Sequence, residues 1–350
     1  MVKQAIPIAL MLLLAACGGG DGSNPVNGDR VSDDGEDNGE DPGPDDPGPD
    51  DPGETPDLDE NTIPDALAQD LRSIAYDPGD PGDPDDDTLT VEMNALDADR
   101  ILATYDRNAA LDVDGYRAFS AQDDALDRIF VALAARSPDG SVQAVVAGDA
   151  GQFTDFYQGG YYERVGNYVK PTEGQVSYAG NYAGVTNLSD ADQDQRMPVP
   201  PGTDPALIPQ QAAQTTGSVF INVDFGDNAV NGAIYDRGFV DGPYADQELE
   251  TVFLADGDLD DTGVFLGTAR MRDEDGVPFG AGTFGGTIGG ENSDGLAGVV
   301  ALDTIFIPAD PREEVSGTFD KETGIFVLPR CGTTDAPAIC TDVDSLEDID

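Results

Sequence analysis

Apolar and polar residues alternate with a period of two along most of the chain after residue 170. In the segment 217–225 every second residue is apolar, and after the turn 226–229 the segment 230–236 returns with a similar pattern, which predicts a β-hairpin. Short strands at this spacing predict an antiparallel meander that closes on itself or stacks on a second sheet. Further runs of this kind occupy 175–186, 250–254, 263–271, 282–288, 296–302, 315–319 and 325–328.

Glycines alternate with larger side chains between Phe279 and Gly290. Glycine inside a strand suits a tightly curved sheet, because it bends easily and leaves room for a neighbouring backbone. We therefore expect an all-β fold in which residues 171–330 form a Gly-rich antiparallel β-barrel of about eight strands.

A second group of strand-like runs lies in residues 88–170, at 89–93, 115–119, 128–136 and 141–147. Four of the eleven tyrosines cluster at its end, and two interpretations of them stay open. They form the packed, half-buried face of a sheet, or they form a recognition surface of rigid amphipathic rings. The four are Tyr157, Tyr161, Tyr162 and Tyr168.

Residues 17–87 hold 24 acidic and two basic residues, a net charge of −22, and repeat Asp, Pro and Gly. Such a segment cannot bury enough apolar area to offset the entropy of ordering, which predicts a disordered acidic tether. One island interrupts it at 64–74, where Leu67, Leu71 and Ile74 share a helical face. We expect a short helix there that docks on the folded body.

The N-terminus combines Lys3 with an apolar run over residues 5–16 and ends in Leu14-Ala-Ala-Cys17. This pattern resembles the bacterial lipoprotein signal; the alternative is a plain secretory signal with a chance cysteine. The resemblance implies that residues 1–16 are a signal peptide and that Cys17 is the lipidated first residue of the mature chain. Gly18 in place of Asp implies delivery to the outer membrane. The membrane partner is then reached through lipid on Cys17.

Export places the two remaining cysteines, Cys331 and Cys340, in an oxidising compartment. Their spacing and the turn residues between them favour a disulfide that pins the acidic C-terminal tail, residues 331–350. A reactive thiol or a metal pair is the alternative.

The chain of 350 residues has 70 Asp+Glu against 17 Lys+Arg, a formal net charge of −53, and no histidine. The negative charge excludes a nucleic-acid partner. The lack of histidine excludes Ser-His-Asp and Cys-His catalysis and His-ligated metal centres. We therefore assign no catalytic residue and no cofactor.

Two acidic triplets have the opening spacing of a helix–loop–helix calcium site, one at residues 190–194 and one at residues 256–260. Neither triplet continues with the required Gly and bidentate Glu, because Gln195 and Asp261 stand at the glycine position. We expect solvated loops and assign no metal site. An acidic surface adapted to salt explains the excess charge equally well.

Three features together resemble transferrin-binding protein B and related surface lipoproteins. They are the lipidation motif with its low-complexity tether, the Gly-rich meander of about eight strands, and the late hairpin at 284–300. The segment 174–182 also resembles the strand that opens the barrel in that family. The resemblance implies a handle-like β-sheet over 88–170 ahead of the barrel and a surface-exposed binding lipoprotein. The chain has room for one lobe where that family has two. Its transferrin-gripping loops are not recognisable here, so the ligand stays unassigned and no ligand-binding residue is named.

We therefore expect a monomeric, non-catalytic binding lipoprotein of the outer membrane that faces the cell exterior and binds an extracellular protein or a small solute. Two alternatives remain open. One is a structural envelope component that binds divalent cations loosely, and the other is a glycosidase that uses two carboxylates.

Overall fold

The computed structural model describes residues 63–80, 83, 86–94, 101–152, 155–189, 195–240, 245, 247–273, 275–305, 320–333 and 336–341. These residues belong to one compact unit of the chain. The predicted signal peptide, Cys17, most of the tether, the predicted strand at 315–319 and the end of the acidic tail lie outside the described residues.

The first sheet is a seven-stranded antiparallel meander in which neighbours in sequence are neighbours in space. We call it the handle sheet. It rolls so that its first and last strands meet, because the Asp70 amide donates to the Gln158 carbonyl over 3.0 Å. Its strands are β1 (Leu71–Asp77), β2 (Thr88–Met93), β3 (Ile101–Arg107), β4 (Arg117–Ala121), β5 (Phe130–Arg136), β6 (Val142–Gly148) and β7 (Gln158–Arg164).

The second sheet closes into an eight-stranded antiparallel barrel, because β8 pairs with both β9 and β16 and β9 pairs with β10. The two-residue β11 pairs only with β10, at the barrel edge. The strands are β8 (Gln175–Ser189), β9 (Ala212–Asp224), β10 (Ala229–Phe239), β11 (Glu248–Leu249), β12 (Val252–Leu259), β13 (Val264–Arg272), β14 (Pro278–Gly289), β15 (Gly295–Leu302) and β16 (Glu322–Pro329). This arrangement confirms the predicted all-β fold with an eight-stranded barrel behind a smaller sheet.

Helical structure among the described residues is confined to short pieces. The α-helix α1 spans Asp65–Ala68, and 3₁₀ turns span Ala109–Leu111, Pro205–Leu207 and Ala338–Thr341. None of these helices has the length or the apolar character needed to cross a bilayer.

Three large apolar clusters hold the unit together, and a small fourth one lies at one end of the barrel, with Leu188, Ala213, Phe239, Leu249 and Ile305. The first fills the barrel with side chains from all eight strands, such as Tyr182, Ile221 and Phe284. The second joins the handle to the barrel, where handle residues such as Val146 meet barrel residues such as Val299. The third lies inside the rolled handle sheet. Burial at about 25 cal/mol per Å² of apolar surface makes these clusters the main source of stability.

The predicted helix at 64–74 is wrong in extent. The helix ends after Ala68, Gln69 adopts a positive φ of 50°, and Leu71–Asp77 forms β1. The reason is tertiary: β1 gains the backbone hydrogen bonds of β2, which a surface helix of one or two turns cannot match. The handle sheet therefore begins inside the segment that was expected to be tether, ahead of residue 88.

The tyrosine cluster lies on packed surfaces. Tyr161 is buried inside the handle, Tyr162 is buried against the barrel, and Tyr168 packs on the barrel core. These positions favour the packed-face interpretation over the recognition surface.

Candidate functional site

Three of the four connections at one end of the barrel are longer than any connection at the other end. At one end the connections are 190–211, 240–251, 273–277 and 303–321, and we call this the long-loop end. At the other, the short-turn end, β9–β10, β12–β13 and β14–β15 are joined by 225–228, 260–263 and 290–294. Long connections on a rigid scaffold are where binding sites concentrate.

Local side-chain bonds explain the tightness of the short turns. One carboxylate oxygen of Asp224 accepts the amides of Gly226 and Asp227. In the next turn Asp260 accepts the amides of Thr262 and Val264. Aspartate side chains that bond the backbone two or more residues onward stabilise such turns.

The charge of the connections follows the same asymmetry. The four long-loop-end connections contain 16 acidic and three basic residues, a net charge of −13. The three short turns contain five acidic residues and no basic one. In the sequence the connections of the long-loop end therefore carry the larger negative charge, while the described residues of the two sets of connections each have a net charge of −5.

The first long connection is held against the handle by three side chains. Asn108 donates to the Gln195 side-chain oxygen over 2.9 Å, Gln122 accepts the Met197 amide over 2.8 Å, and Gln152 donates to the Leu207 carbonyl over 3.1 Å. Five prolines between 198 and 209 restrict the backbone further. The described part of this loop is fixed against the handle by these bonds and leaves Met197 and Leu207 exposed.

A buried ionic network lies directly beneath the long-loop end. Glu322, at the start of β16, accepts from Arg237 Nη2 over 2.5 Å, and both side chains are 0% exposed. The other carboxylate oxygen accepts from the Tyr182 hydroxyl over 2.5 Å and the Thr215 hydroxyl over 2.8 Å. Arg237 also donates to the Glu250 carbonyl over 2.7 Å. The network thus ties the barrel core to the bases of two long connections.

The tyrosine in this network acts only as a hydrogen-bond donor. Burial, and then the charge of Glu322, raise the pKa of Tyr182 well above its ordinary value, so the hydroxyl keeps its proton. Gly324 makes room for it, since a Cβ there would lie 2.0 Å from the Tyr182 hydroxyl oxygen. The protonated Tyr182 hydroxyl therefore holds the Glu322 carboxylate in position.

Two other carboxylates have raised pKa values, which bears on the glycosidase alternative. Burial raises the pKa of Asp149 and the pKa of Asp70. Asp149 accepts the Tyr157 amide over 2.6 Å and pairs with Arg128, and Asp70 accepts the Gln158 amide over 3.1 Å. Asp149 is only 2% exposed, so it does not reach a substrate. These carboxylates anchor the entry to β7.

Of the three cysteines assigned from the sequence, Cys17 lies outside the described residues. Cys331 and Cys340 form the predicted disulfide, with 5.4 Å between their Cα atoms. The Cys331 amide donates to the Ser177 carbonyl over 2.8 Å, which places the disulfide beside the start of β8, at the short-turn end. The disulfide therefore lies at the end of the barrel opposite the long connections.

The described acidic triplet serves structural roles. Asp256 pairs with Arg270, and Asp260 stabilises the 260–263 turn. No group of three or more potential metal ligands occurs among the residues that the structure describes. The other triplet, at 190–194, lies outside them.

Sequence reasoning missed the Arg237–Glu322 network. Arg237 follows Asp236, and with Ile234 buried an unbroken period of two would turn Arg237 outward. The bulge between Tyr235 and Gly238 places it inside instead. Glu322 stands three residues before the predicted strand at 325–328, so the strand pattern does not place it inside the barrel.

Comparisons with known proteins found no matching family model and no matching curated protein. Solved structures with a similar arrangement include a double mutant of the vaccine antigen transferrin binding protein B from Haemophilus parasuis. It shares 12% identity with this chain at a TM-score of 0.33, over 74% of this chain and 54% of that one. A single mutant of the same antigen shares 12% identity with this chain at a TM-score of 0.33, over 69% of this chain and 51% of that one. Intact Ap-TbpB, with its N and C lobes, shares 12% identity with this chain at a TM-score of 0.30, over 75% of this chain and 55% of that one.

This chain spans about half the length of those three proteins. They belong to the family that the sequence resembles. At these TM-scores the comparison carries no functional argument, and the function is argued below from the residues of this chain.

Proposed function

We propose that this protein is a non-catalytic binding lipoprotein, anchored in the outer membrane and facing the cell exterior. Its long-loop end binds a partner protein or solute with a basic surface. The observation that carries the proposal is the concentration of the long, acidic connections at one end of a filled barrel.

The filled interior directs binding to the surface. Tyr178, Phe265 and Phe326 are fully buried in the barrel core, so side chains occupy the space that a ligand-carrying barrel leaves open. A ligand then meets the connections, where complementary charge speeds encounter and selects basic partners.

The anchor rests on the N-terminal motif. Lipid on Cys17 would supply membrane affinity, at about 0.8 kcal/mol per buried CH₂. The acidic segment that follows carries charge of the same sign as an anionic membrane surface, which favours separation of the folded unit from that surface.

The binding face is tested by two triple variants with equal charge change. The first, Glu248→Gln, Asp275→Asn and Asp303→Asn, neutralises exposed acids at the long-loop end. The matched control, Asp227→Asn, Asp258→Asn and Glu291→Gln, does so at the short-turn end. Titration calorimetry with a poly-lysine peptide should show roughly tenfold weaker binding for the first variant, at about 0.5 kcal/mol per lost charge. An equal loss of affinity in both variants would mean that binding follows total charge, which would contradict a defined binding face.

The anchor and its orientation are tested on cells. Cys17→Ser should move the protein from the membrane fraction to the soluble fraction. Protease treatment of intact cells carrying the unaltered chain should release a compact fragment that starts near residue 63. Continued membrane partitioning of the variant, or full protection of the unaltered chain, would contradict the anchored, outward-facing arrangement.

A further inference from the structure

A polar cluster lies in the seam between the handle and the short-turn end of the barrel. Three buried polar atoms in it have no hydrogen-bond partner among the described residues: Tyr162 Oη, Arg164 Nε and Tyr168 Oη. Tyr162 is only 5% exposed. Leaving a buried polar atom unpaired is costly, so such atoms in native proteins are generally satisfied by protein or by ordered water.

Two of the three side chains, Arg164 and Tyr168, meet at one turn of the barrel, and Tyr162 lies beside Arg164 on β7. Tyr162 and Arg164 are two residues apart on β7 and therefore face the same side of the strand. Arg164 Nη1 donates to the Thr262 carbonyl over 2.6 Å, and its guanidinium carbon lies 5.1 Å from the centroid of the Tyr168 ring. Tyr168 in turn covers Gly263, where a Cβ would lie 2.6 Å from the ring.

Arg164 is held in place by further bonds to the barrel. The same Nη1 atom lies 3.2 Å from the Thr287 hydroxyl and 3.2 Å from the Ile288 carbonyl. Because the guanidinium is fixed by these acceptors and by the tyrosine ring, its Nε–H cannot swing away to find another partner.

The charges around the cluster restrict what can satisfy it. Asp260 lies close enough to contribute, after burial, to the raised pKa of both Tyr162 and Tyr168, the latter to about 12. A carboxylate at this distance disfavours a bound anion, and the Arg164 guanidinium disfavours a bound cation. The three atoms offer one obligatory donor and two hydroxyls that donate or accept. A small neutral oxygen that both accepts and donates fits this set.

We infer that an ordered water binds between Tyr162, Arg164 and Tyr168 and bridges the handle and the barrel. Water accepts from Arg164 Nε and exchanges hydrogen bonds with the two hydroxyls, and a buried water with two to four polar partners is a stable part of a fold. The inference concerns the joint between the two sheets and does not depend on the proposed binding function.

The thermodynamic test uses hydroxyl deletion. A hydroxyl that is bonded to water loses that bond in Tyr162→Phe, so the melting temperature should fall. Tyr168→Phe should also lower it, and the double variant should lose less than the sum of the single losses, because the two hydroxyls share one water site. The matched control is Tyr116→Phe, whose hydroxyl donates to the Asn181 carbonyl and accepts the Val327 amide and is fully satisfied by protein.

Deletion of a dry, unpaired hydroxyl would instead raise the melting temperature, since it removes a desolvation penalty. A higher or unchanged melting temperature in Tyr162→Phe, alongside a clear fall in the Tyr116→Phe control, would overturn the inference.

The structural test needs no variant. A high-resolution crystal structure of the folded unit should show a water oxygen within about 2.7–3.2 Å of at least two of the three atoms. A structure in which these atoms bond to protein groups, or face a space without water, would overturn the inference.

Discussion

At the scale of single residues, Arg237 and Glu322 lie at the point where the barrel core meets its long connections. Two opposite charges with no exposure are costly to desolvate, and this cost is offset only when the remaining polar atoms are also bonded. Glu322 meets that condition with three side-chain donors on its two oxygens, whereas Arg237 Nε has no hydrogen-bond partner among the described residues. The pair links β10 to β16 across the barrel interior.

Removing one partner should be far more damaging than removing both. Glu322→Gln leaves a buried guanidinium without a counter-charge, and we expect a loss of about 3–5 kcal/mol in the free energy of unfolding, measured by urea denaturation. The double variant Arg237→Met, Glu322→Leu should lose less than Glu322→Gln alone, because no uncompensated charge remains.

The control for this prediction is an exposed ion pair. Asp256 and Arg270 have side chains that are 66% and 44% exposed, so Asp256→Asn should cost no more than about 1 kcal/mol. Asn also tolerates the positive φ of 54° at this position. A double variant that is less stable than Glu322→Gln would show that the pair itself, and not the unpaired charge, dominates the energy.

At the scale of secondary structure, the segment from α1 to β1 shows how tertiary contacts override local pattern. Leu67 and Leu71 were expected on one helical face, yet both are fully buried on different elements. Leu67 joins the seam between handle and barrel, and Leu71 joins the interior of the handle. The apolar residues were identified correctly, and only the backbone that presents them differs.

The contact of this segment with β7 depends on a glycine. A Cβ at Gly159 would lie 2.1 Å from the Ala68 carbonyl oxygen and 2.8 Å from the Leu71 Cβ. Gly159→Ala should therefore displace α1 and the start of β1, and hydrogen exchange should show loss of amide protection in residues 65–77 with the barrel still protected.

Gly280→Ala is the matched control, because that glycine lies on β14 with no neighbouring atom within 4 Å of an added Cβ. It should leave protection in residues 65–77 unchanged. If Gly159→Ala also left this protection unchanged, the tight packing of α1 on β7 would be contradicted.

At the scale of the whole molecule, the net charge of −53 opposes compaction by self-repulsion. The folded unit contributes to this charge, since residues 88–350 contain 46 acidic and 14 basic residues. Buried ion pairs such as Arg128–Asp149 neutralise few of the described acidic residues. Stability should therefore depend on ionic screening.

Raising NaCl from about 0.01 M to about 1 M shortens the Debye length from about 30 Å to about 3 Å. We expect the urea midpoint of unfolding to rise over this range, with KCl acting equally. MgCl₂ and CaCl₂ at the same concentration should raise the urea midpoint by equal amounts. A larger effect of calcium would indicate a selective calcium site, and a midpoint independent of salt would contradict the role of self-repulsion.

The sequence by itself determined the class of the fold and its chemical limits. Alternation of apolar residues is a local property of each strand, so it revealed the hairpin of β9 and β10 and the Gly-rich β14 without knowledge of their partners. Composition is independent of folding, so the absence of histidine and the excess of acid restricted the chemistry directly. The spacing of Cys331 and Cys340 also predicted their disulfide, because the loop between them is short.

Only the tertiary structure decided which residues meet across the chain. Barrel closure brings β8 against β16 and joins Tyr182 to Glu322, and the handle captures β1 from the segment that was expected to be tether. The separation of long and short connections to opposite ends also follows from the pairing order of the strands. Such contacts depend on the closure of long loops and on the packing of whole sheets. A pattern with a period of two residues carries no information about either.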